Sequence, residues 1–254
     1  MTSTTPPAGI LSYGPDEAQH LDLSWPAPGT EPRGIAALIH GGYWRSHLFS
    51  SLMEPLVASL RAQGWITANI EYRRGSTGRW PAPLEDTAEA LGLINSLRQT
   101  EGISGPLVTV GHSVGGQLAL LTAHLSDGVL ALAPVTDVER THREGLGDNA
   151  AAEYFRTSPA QSPDTYDNAS PVKQALGATQ TLILHGKDDD RVPIAHSYAF
   201  LAAAQAQASP VELREFTALS HLKSIDPLAV HWAEALSWMA EVPGPAVRRA
   251  PKIE

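Results

Sequence analysis

Short apolar runs alternate along the chain with longer segments in which apolar residues recur every three or four positions. Runs of four to six residues without strict polar alternation are typical of strands that are buried on both faces, as in a parallel sheet. We predict strands at Ile35–Ile39, Ile66–Ile70, Leu107–Val110, Val129–Ala133 and Thr181–Leu184, and a last strand at Val211–Phe216.

Segments with helical spacing separate these runs. Their apolar stripes are Leu52, Leu56 and Leu60; Leu84, Ala88, Leu91 and Ile94; Leu118, Leu121 and Leu125; and Tyr198, Leu201 and Ala202. Pro193 is expected to mark the start of the fourth helix. Ser51-x-x-Glu54 predicts a capping box for the first helix. Strands that alternate with helices predict an α/β fold: a mostly parallel, doubly wound sheet with helices on both faces and right-handed crossovers.

The ends of the chain differ in composition from its middle. Residues 1–15 are rich in Pro, Gly, Ser and Thr and predict a flexible arm, and residues 243–254 predict a tail. Residues 16–242 are predicted to form one domain. Within it, residues 137–178 separate two predicted strands and form the largest insertion, which we interpret as a small cap.

A serine follows the third apolar run in the sequence Gly111-His112-Ser113-Val114-Gly115. In open α/β sheets, ligands bind beyond the carboxyl ends of the strands. A strand–Gly-x-Ser-x-Gly–helix turn raises a serine hydroxyl above the sheet, beside a helix N-terminus that favours developing negative charge. The pattern predicts Ser113 as a nucleophile.

Two glycines follow the first run, in His40-Gly41-Gly42-Tyr43-Trp44. An acyl-transfer site needs main-chain N–H groups that point at the oxyanion, and glycine permits this close approach. We predict an oxyanion hole from the N–H groups of Gly42, Tyr43 and Val114. His40 precedes the glycines, and we interpret it as a loop-bracing hydrogen-bonding residue rather than a base.

A triple aspartate, Asp188-Asp189-Asp190, follows the fifth run, and a carboxylate here could orient a catalytic imidazole. The residues alone leave all three open. His221 lies just past the last predicted strand and is the predicted general base.

The amino-acid composition argues against several classes of function. The 254 residues include 18 Lys and Arg against 27 Asp and Glu, a formal net charge of −9, and no Cys. An acidic chain without a basic stretch argues against nucleic acid or an anionic membrane surface as partner. The absence of Cys excludes disulfides, thiolate catalysis and iron–sulfur clusters. No metal or other cofactor is expected, because no acidic or histidine cluster has ligand spacing. The N-terminus lacks signal-peptide features and no apolar run is long enough to span a bilayer, so we expect a cytoplasmic protein.

Together these motifs resemble those of the α/β-hydrolase superfamily over roughly residues 20–242. The resemblance rests on the two glycine motifs, on His221 and on His185-Gly186-x-x-Asp189-x-x-Val192-Pro193, which selects Asp189 as the acid. His40–Trp44 resembles the His-Gly-Gly-x-Trp signature of kynurenine formamidases (arylformamidases). The segment also resembles the corresponding motif of carboxylesterases, although in their lipase-like branches a third glycine usually stands at the place of Tyr43.

The resemblance implies a serine hydrolase that cleaves small carboxylic esters through an acyl-enzyme on Ser113. The alternative is an arylformamidase that cleaves amides such as N-formylkynurenine, and the alternative from another class is a non-catalytic binding protein of the same fold. Trp44, Trp80 and Arg73 are predicted to contact the substrate, and carbamates and lactones also stay open as substrates. The partners expected are a small-molecule ester or amide and a second copy of the chain in a homodimer.

Overall fold

The computed structural model of the protein describes residues 8–245. Its eight strands form one sheet in the order β1-β2-β4-β3-β5-β6-β7-β8, in which β3 to β8 are parallel and β1 and β2 are antiparallel. The strands are β1 (Gly9–Ser12), β2 (His20–Ser24), β3 (Ile35–Ile39), β4 (Ile66–Ile70), β5 (Leu107–His112), β6 (Gly128–Leu132), β7 (Gln180–Gly186) and β8 (Val211–Phe216).

Helices cover both faces of this sheet, as predicted. The helices are α1 (Glu54–Ala62), α2 (Ala82–Thr100), α3 (Val114–Leu121), α4 (Val138–Arg143), α5 (Leu146–Phe155), α6 (Pro163–Ala169), α7 (Ala195–Ala206) and α8 (Trp232–Glu241). One apolar cluster packs α1 and α8 on one face, and a second packs α2, α3 and α7 on the other. Trp232 and Trp238 of α8 are buried within the first cluster of the same chain.

The six predicted strands are present, and those at β3, β4 and β8 have the predicted bounds. The prediction of a flexible arm over residues 1–15 is wrong at Gly9–Ser12, which form β1 and pair with β2. β2 buries only alternate residues and β1 alternates between half-buried and exposed ones, so both lack the continuous apolar run of the central strands. Residues 1–7 and 246–254 of the predicted arm and tail lie outside the described residues.

Two details of the helices differ from expectation. No capping box forms, because Ser51 lies inside a 3₁₀ turn that precedes α1, and the Glu54 carboxylate instead accepts a hydrogen bond from Asn69 at 3.2 Å. The predicted stripe on α7 is also wrong, because the helix buries His196, Ser197, Phe200 and Ala204.

Residues between β6 and β7 contain α4, α5 and α6, in the region predicted as a cap. A third apolar cluster joins these helices to Tyr43 and Trp44, which follow β3. Residues Gly147–Asn149, at the start of α5, have left-handed backbone angles. The insertion therefore packs against the loop that leaves the carboxyl end of β3.

Candidate active site

Ser113 lies between β5 and α3 in a backbone conformation that side-chain-bearing residues rarely adopt, with φ 57° and ψ −119°. The turn is tight, because a Cβ at Gly115 would lie 2.0 Å from the carbonyl oxygen of Ile39. Only glycine fits that position. Ser113 is 1% exposed, and the strained turn places it at the carboxyl edge of the sheet.

His221 and Asp189 meet at the same edge of the sheet. His221 Nδ1 lies 2.8 Å from Asp189 Oδ2, and Asp189 Oδ1 accepts hydrogen bonds from the N–H groups of Arg191 and Val192, both at 2.9 Å. The neighbouring aspartates do not make this contact. Asp188 accepts from the N–H of Ala218, and Asp190 is exposed. Of the three aspartates, Asp189 is the one placed to orient the His221 imidazole.

Burial and hydrogen bonding act in opposite directions on Asp189. Burial alone would raise the pKa of this carboxyl, but hydrogen bonds from His185 and His221, together with the charge of His221 and the Val192 amide, hold the pKa well below its usual range. Asp189 is therefore a carboxylate at neutral pH. It can stabilise positive charge on the imidazole that it contacts.

The main-chain carbonyl of His221 has its own hydrogen-bonding partners, apart from those of the ring. Its carbonyl oxygen lies 3.2 Å from His112 Nε2 and accepts a hydrogen bond of 2.6 Å from the Ser224 hydroxyl. Burial lowers the pKa of His112 well below its usual value, and the nearby His221 lowers it further. His112 is thus a neutral donor behind His221, and sequence reasoning had assigned it no role beyond its place in the serine motif.

The loop after β3 lies directly against Ser113. A Cβ at Gly41 would lie 2.8 Å from the Cβ of Ser113, so glycine permits this approach. Among residues 8–245, no acceptor is bonded to the main-chain N–H groups of Gly42, Tyr43 or Val114, the three predicted oxyanion donors. Tyr43 and Trp44 have left-handed backbone angles, with φ 50° and 58°.

A buried ionic cluster stands behind this loop. His40 Nε2 lies 3.2 Å from Glu71 Oε1, and the same carboxylate is paired with Arg74 and accepts the Ser50 N–H at 2.9 Å. Burial would raise the pKa of Glu71, but the bond and charge of His40, with Ser50 and Arg74, lower it to about 2. The Tyr72 hydroxyl donates to the His40 carbonyl at 2.8 Å. His40 therefore braces the loop, consistent with its interpretation from the sequence.

The three predicted substrate contacts lie in different surroundings. The Trp44 indole is buried, donates to Gln117 Oε1 at 3.1 Å and stacks on Tyr154 with ring centroids 5.4 Å apart. Trp80 is half-buried near Phe155. The Arg73 guanidinium is in a salt bridge with the fully buried Asp86 at 2.6 Å. Gln117 was not singled out from the sequence, since a glutamine on an apolar stripe gives no signal of its partner.

A pocket of about 290 Å³ opens beside the same loop. Its lining includes Tyr43, Trp44, Arg45, Glu153 and Tyr154, but not Ser113, Asp189 or His221. Tyr43 connects the two regions, because its ring lines the pocket while its hydroxyl donates to the Arg191 carbonyl at 2.5 Å. Burial raises the pKa of Tyr43 to about 12, and Asp189 contributes to the rise, so the hydroxyl keeps its proton.

The described part of the chain offers neither a metal-binding cluster nor a membrane-spanning helix. Within residues 8–245, no group of three or more His, Cys, Asp or Glu side chains could hold a metal ion. None of the helices described there is long and apolar enough to cross a membrane.

Comparison with known proteins places the chain in a family. The family model named BD-FAE matches residues 21–203. The chain belongs to the BD-FAE family. The predicted α/β-hydrolase fold is confirmed by solved structures. One of them, esterase B from Lactobacillus Rhamnosis, superimposes with a TM-score of 0.74 at 20% identity, covering 91% of this chain and 82% of the esterase.

Two curated relatives of this BD-FAE family member carry names that describe activities. Esterase LipQ of Mycobacterium tuberculosis is 28% identical over 235 residues, which are 83% of this chain and 56% of LipQ. Kynurenine formamidase avaC of Aspergillus versicolor is 24% identical over 238 residues, covering 75% of this chain and 83% of the relative. The chain thus spans little more than half the length of LipQ.

Proposed function

We propose that this BD-FAE family member is a serine hydrolase that cleaves small carboxylic esters through an acyl-enzyme on Ser113, with His221 as base and Asp189 as acid. The observation that carries the proposal is the 2.8 Å contact between His221 Nδ1 and Asp189 Oδ2 at the sheet edge where the strained Ser113 lies. A histidine that only packs would not require a buried carboxylate partner or a serine held at a positive φ. The names of the curated relatives support the same class of reaction.

The proposed reaction has two steps. His221 Nε2 takes the proton of the Ser113 hydroxyl as the serine oxygen attacks the carbonyl carbon, and Asp189 stabilises the imidazolium that forms. The imidazolium then protonates the leaving alcohol, and the acyl group stays on Ser113. In the second step His221 takes a proton from water as the water oxygen attacks the acyl carbon. The bond from the acyl carbon to the Ser113 oxygen then breaks, the imidazolium returns its proton to that oxygen, and the carboxylic acid leaves.

The N–H groups of Gly42, Tyr43 and Val114 are the proposed donors to the oxyanion. The lack of an acceptor for them among residues 8–245 supports this assignment, because an N–H group left free at a closed site is available to bind developing charge. Val114 is the first residue of α3, so the helix dipole adds favourable potential there. Among the predicted substrate contacts, Trp44 lines the pocket beside this loop, whereas Trp80 and Arg73 would contact only a substrate that reaches beyond it.

Substitution of the nucleophile tests the mechanism. Ser113→Ala is expected to reduce kcat toward phenyl acetate by at least about 10⁴-fold, because nucleophilic attack is lost while the fold is kept. The measurement is initial-rate kinetics with folding checked by circular dichroism. The matched control is Ser96→Ala, at an exposed position of α2. Near-native turnover by folded Ser113→Ala protein would refute the proposal.

An arylformamidase is the second candidate, because Tyr43 and Trp44 complete the His-Gly-Gly-x-Trp signature and one curated relative bears that name. The ratio of kcat/KM for N-formylkynurenine to that for phenyl acetate separates the two, since both substrates carry small acyl groups. A large excess for the formamide assigns the amide activity. A preference for the ester, with formamide hydrolysis near background, assigns a short-acyl esterase.

A further inference from the structure

His185 is a fully buried histidine that the proposed reaction does not use. It is the penultimate residue of β7, immediately before the loop that carries Asp189. Its Nδ1 lies 2.6 Å from the Ser197 hydroxyl, and its Nε2 lies 2.8 Å from the Val192 carbonyl oxygen. The same Nε2 lies 3.5 Å from Asp189 Oδ2, the oxygen that faces His221. A strand-end histidine that only filled space would not need partners at both ring nitrogens.

The partners of His185 determine which nitrogen carries hydrogen. The Val192 carbonyl can only accept, so Nε2 carries the hydrogen and Nδ1 accepts the proton of the Ser197 hydroxyl. Ser197, itself buried on α7, thereby fixes the tautomer that turns an N–H toward Asp189 and Val192. A hydrogen-bonding partner on the far nitrogen is the usual means of orienting a functional imidazole.

His185 therefore contacts both ends of the turn that holds the carboxylate. Asp189 Oδ1 is bonded by the N–H groups of Arg191 and Val192, and Oδ2 lies close to ring nitrogens of both His221 and His185. Rotation of the carboxyl would break the hydrogen bonds that Asp189 accepts from the N–H groups of Arg191 and Val192. Movement of the turn would break the hydrogen bond from His185 Nε2 to the Val192 carbonyl.

We propose that His185 is a positioning residue that holds the Asp189 carboxylate in the orientation that His221 needs, with Ser197 fixing its tautomer. The inference rests on the proposed function, since it acts through the proposed acid. It predicts that loss of the Nε2 hydrogen bond lowers kcat without weakening substrate binding, because the Asp189–His221 contact matters most when the imidazolium forms.

A matched pair of variants isolates the Nε2 contact. Asparagine places its amide near the former Nδ1 and can keep the bond to Ser197 but not the contact with Asp189, whereas glutamine can extend an amide N–H to the former Nε2. We expect His185→Asn to lower kcat for phenyl acetate by about 10- to 100-fold with little change in KM, as for small misplacements of catalytic groups. His185→Gln is expected to recover most of that loss.

A double-mutant cycle distinguishes this role from a structural one. If His185 acts through Asp189, His185→Asn should lower kcat far less in an Asp189→Asn background than in the natural chain, because the interaction is already gone. His142→Asn is the control, since His142 is a half-buried histidine of α4 whose ring packs edge-on against Tyr166 rather than against Asp189. It should lower stability and leave kcat per active site unchanged. Active sites are counted by titration with a fluorophosphonate.

The outcomes separate this inference from the proposed function. Equal losses from His185→Asn in both backgrounds, or no recovery in His185→Gln, would overturn the positioning role while leaving the hydrolase proposal intact. Activity retained by Ser113→Ala would overturn the hydrolase proposal itself. If the His185 variants do not fold, Ser197→Ala replaces them, with a smaller loss of kcat that also disappears in the Asp189→Asn background.

Discussion

Two buried carboxylates each contact a histidine in this protein, but their surroundings differ. Glu71 stands behind the loop after β3 and is shared by His40 and the buried Arg74. Asp189 stands after β7 and is shared by His221 and His185, with two main-chain amides on its other oxygen. No arginine or lysine side chain among the described residues is paired with Asp189.

The difference in counter-charge indicates a difference in role. A permanent guanidinium shares Glu71 with His40, so this carboxylate is already paired with a fixed positive charge, and the cluster is suited to holding a loop in place. Asp189 has only neutral donors and an imidazole, so its charge is left to stabilise a proton on His221. A histidine–carboxylate contact alone does not identify a catalytic pair, and the other partners of the two carboxylates are what distinguish the proposed catalytic pair from the His40–Glu71 pair.

The largest expected effect breaks the Asp189 pair. Asp189→Asn should lower kcat by about 10⁴-fold with a small change in KM, because the amide cannot stabilise the imidazolium and favours the wrong tautomer of the base. The fold should persist, since asparagine keeps the size of the side chain. Steady-state kinetics, with thermal unfolding as the check on folding, measures both parts. A loss below about tenfold would remove Asp189 from the proposed acid role.

The Glu71 pair should respond in the opposite way. Glu71→Gln leaves Arg74 buried without its carboxylate, which is expected to lower the free energy of unfolding by about 3–5 kcal/mol. The fall in kcat should be far smaller than for Asp189→Asn, because Glu71 touches no reacting atom. Urea unfolding measures the change. Glu153→Gln is the control, as its exposed salt bridge to Arg45 should contribute less than about 1 kcal/mol. Equal stability of the two variants would contradict the comparison.

The smallest effect is a pH dependence of stability at low pH, to which Glu71 and Asp189 both contribute because the pKa of each carboxyl is lowered in the folded chain. Its pKa is about 2 in the folded chain against 4.5 for the ordinary group. As pH falls from 4.5 to 2, the unfolded chain takes up a proton that the folded chain does not, so stability falls by about 1–3 kcal/mol after solvent screening. Glu71→Gln should reduce the slope in this window when urea unfolding is repeated at each pH, and the slope that stays belongs to Asp189.

A second pH window, which overlaps the first between pH 4.5 and about 3, belongs to the buried His196. Burial lowers the pKa of His196 from 6.5 to about 3, and the charge of Arg140 adds to the effect. Stability that depends on neutral His196 is complete above pH 6.5 and declines as the pH falls below it. Glu71→Gln should keep this upper part of the curve, and an unchanged slope below pH 4.5 in that variant would count against the role assigned to Glu71.

The sequence predicted best what depends on local pattern. The strands β3 to β7 are buried on both faces, so their apolar runs stand out, and residues placed after those runs fall at one edge of the sheet. Ser113, Asp189 and His221 were predicted as site residues from positions after strand ends, although the choice of Asp189 among three aspartates needed the family pattern. The short strands β1 and β2 were missed because half of their residues face outward.

Partners that are distant in sequence were not predictable. Arg73 was expected to contact substrate, yet the structure pairs it with Asp86, and Arg74 with Glu71. Nothing in a run of two arginines says which carboxylate the fold brings to each. The same holds for His185, whose contact with Ser197 depends on how α7 docks on the sheet. Such contacts are set by packing rather than by spacing.

The position of β8 at the edge of the sheet has a consequence for how activity would be lost on heating. Ser113 follows a central strand, whereas His221 follows β8, which among the described strands pairs with β7 alone. Edge elements open at a lower free energy than the centre of a fold. Local unfolding that releases β8 would carry the proposed base away while the proposed nucleophile stays in place, so inactivation should begin before the bulk of the secondary structure melts.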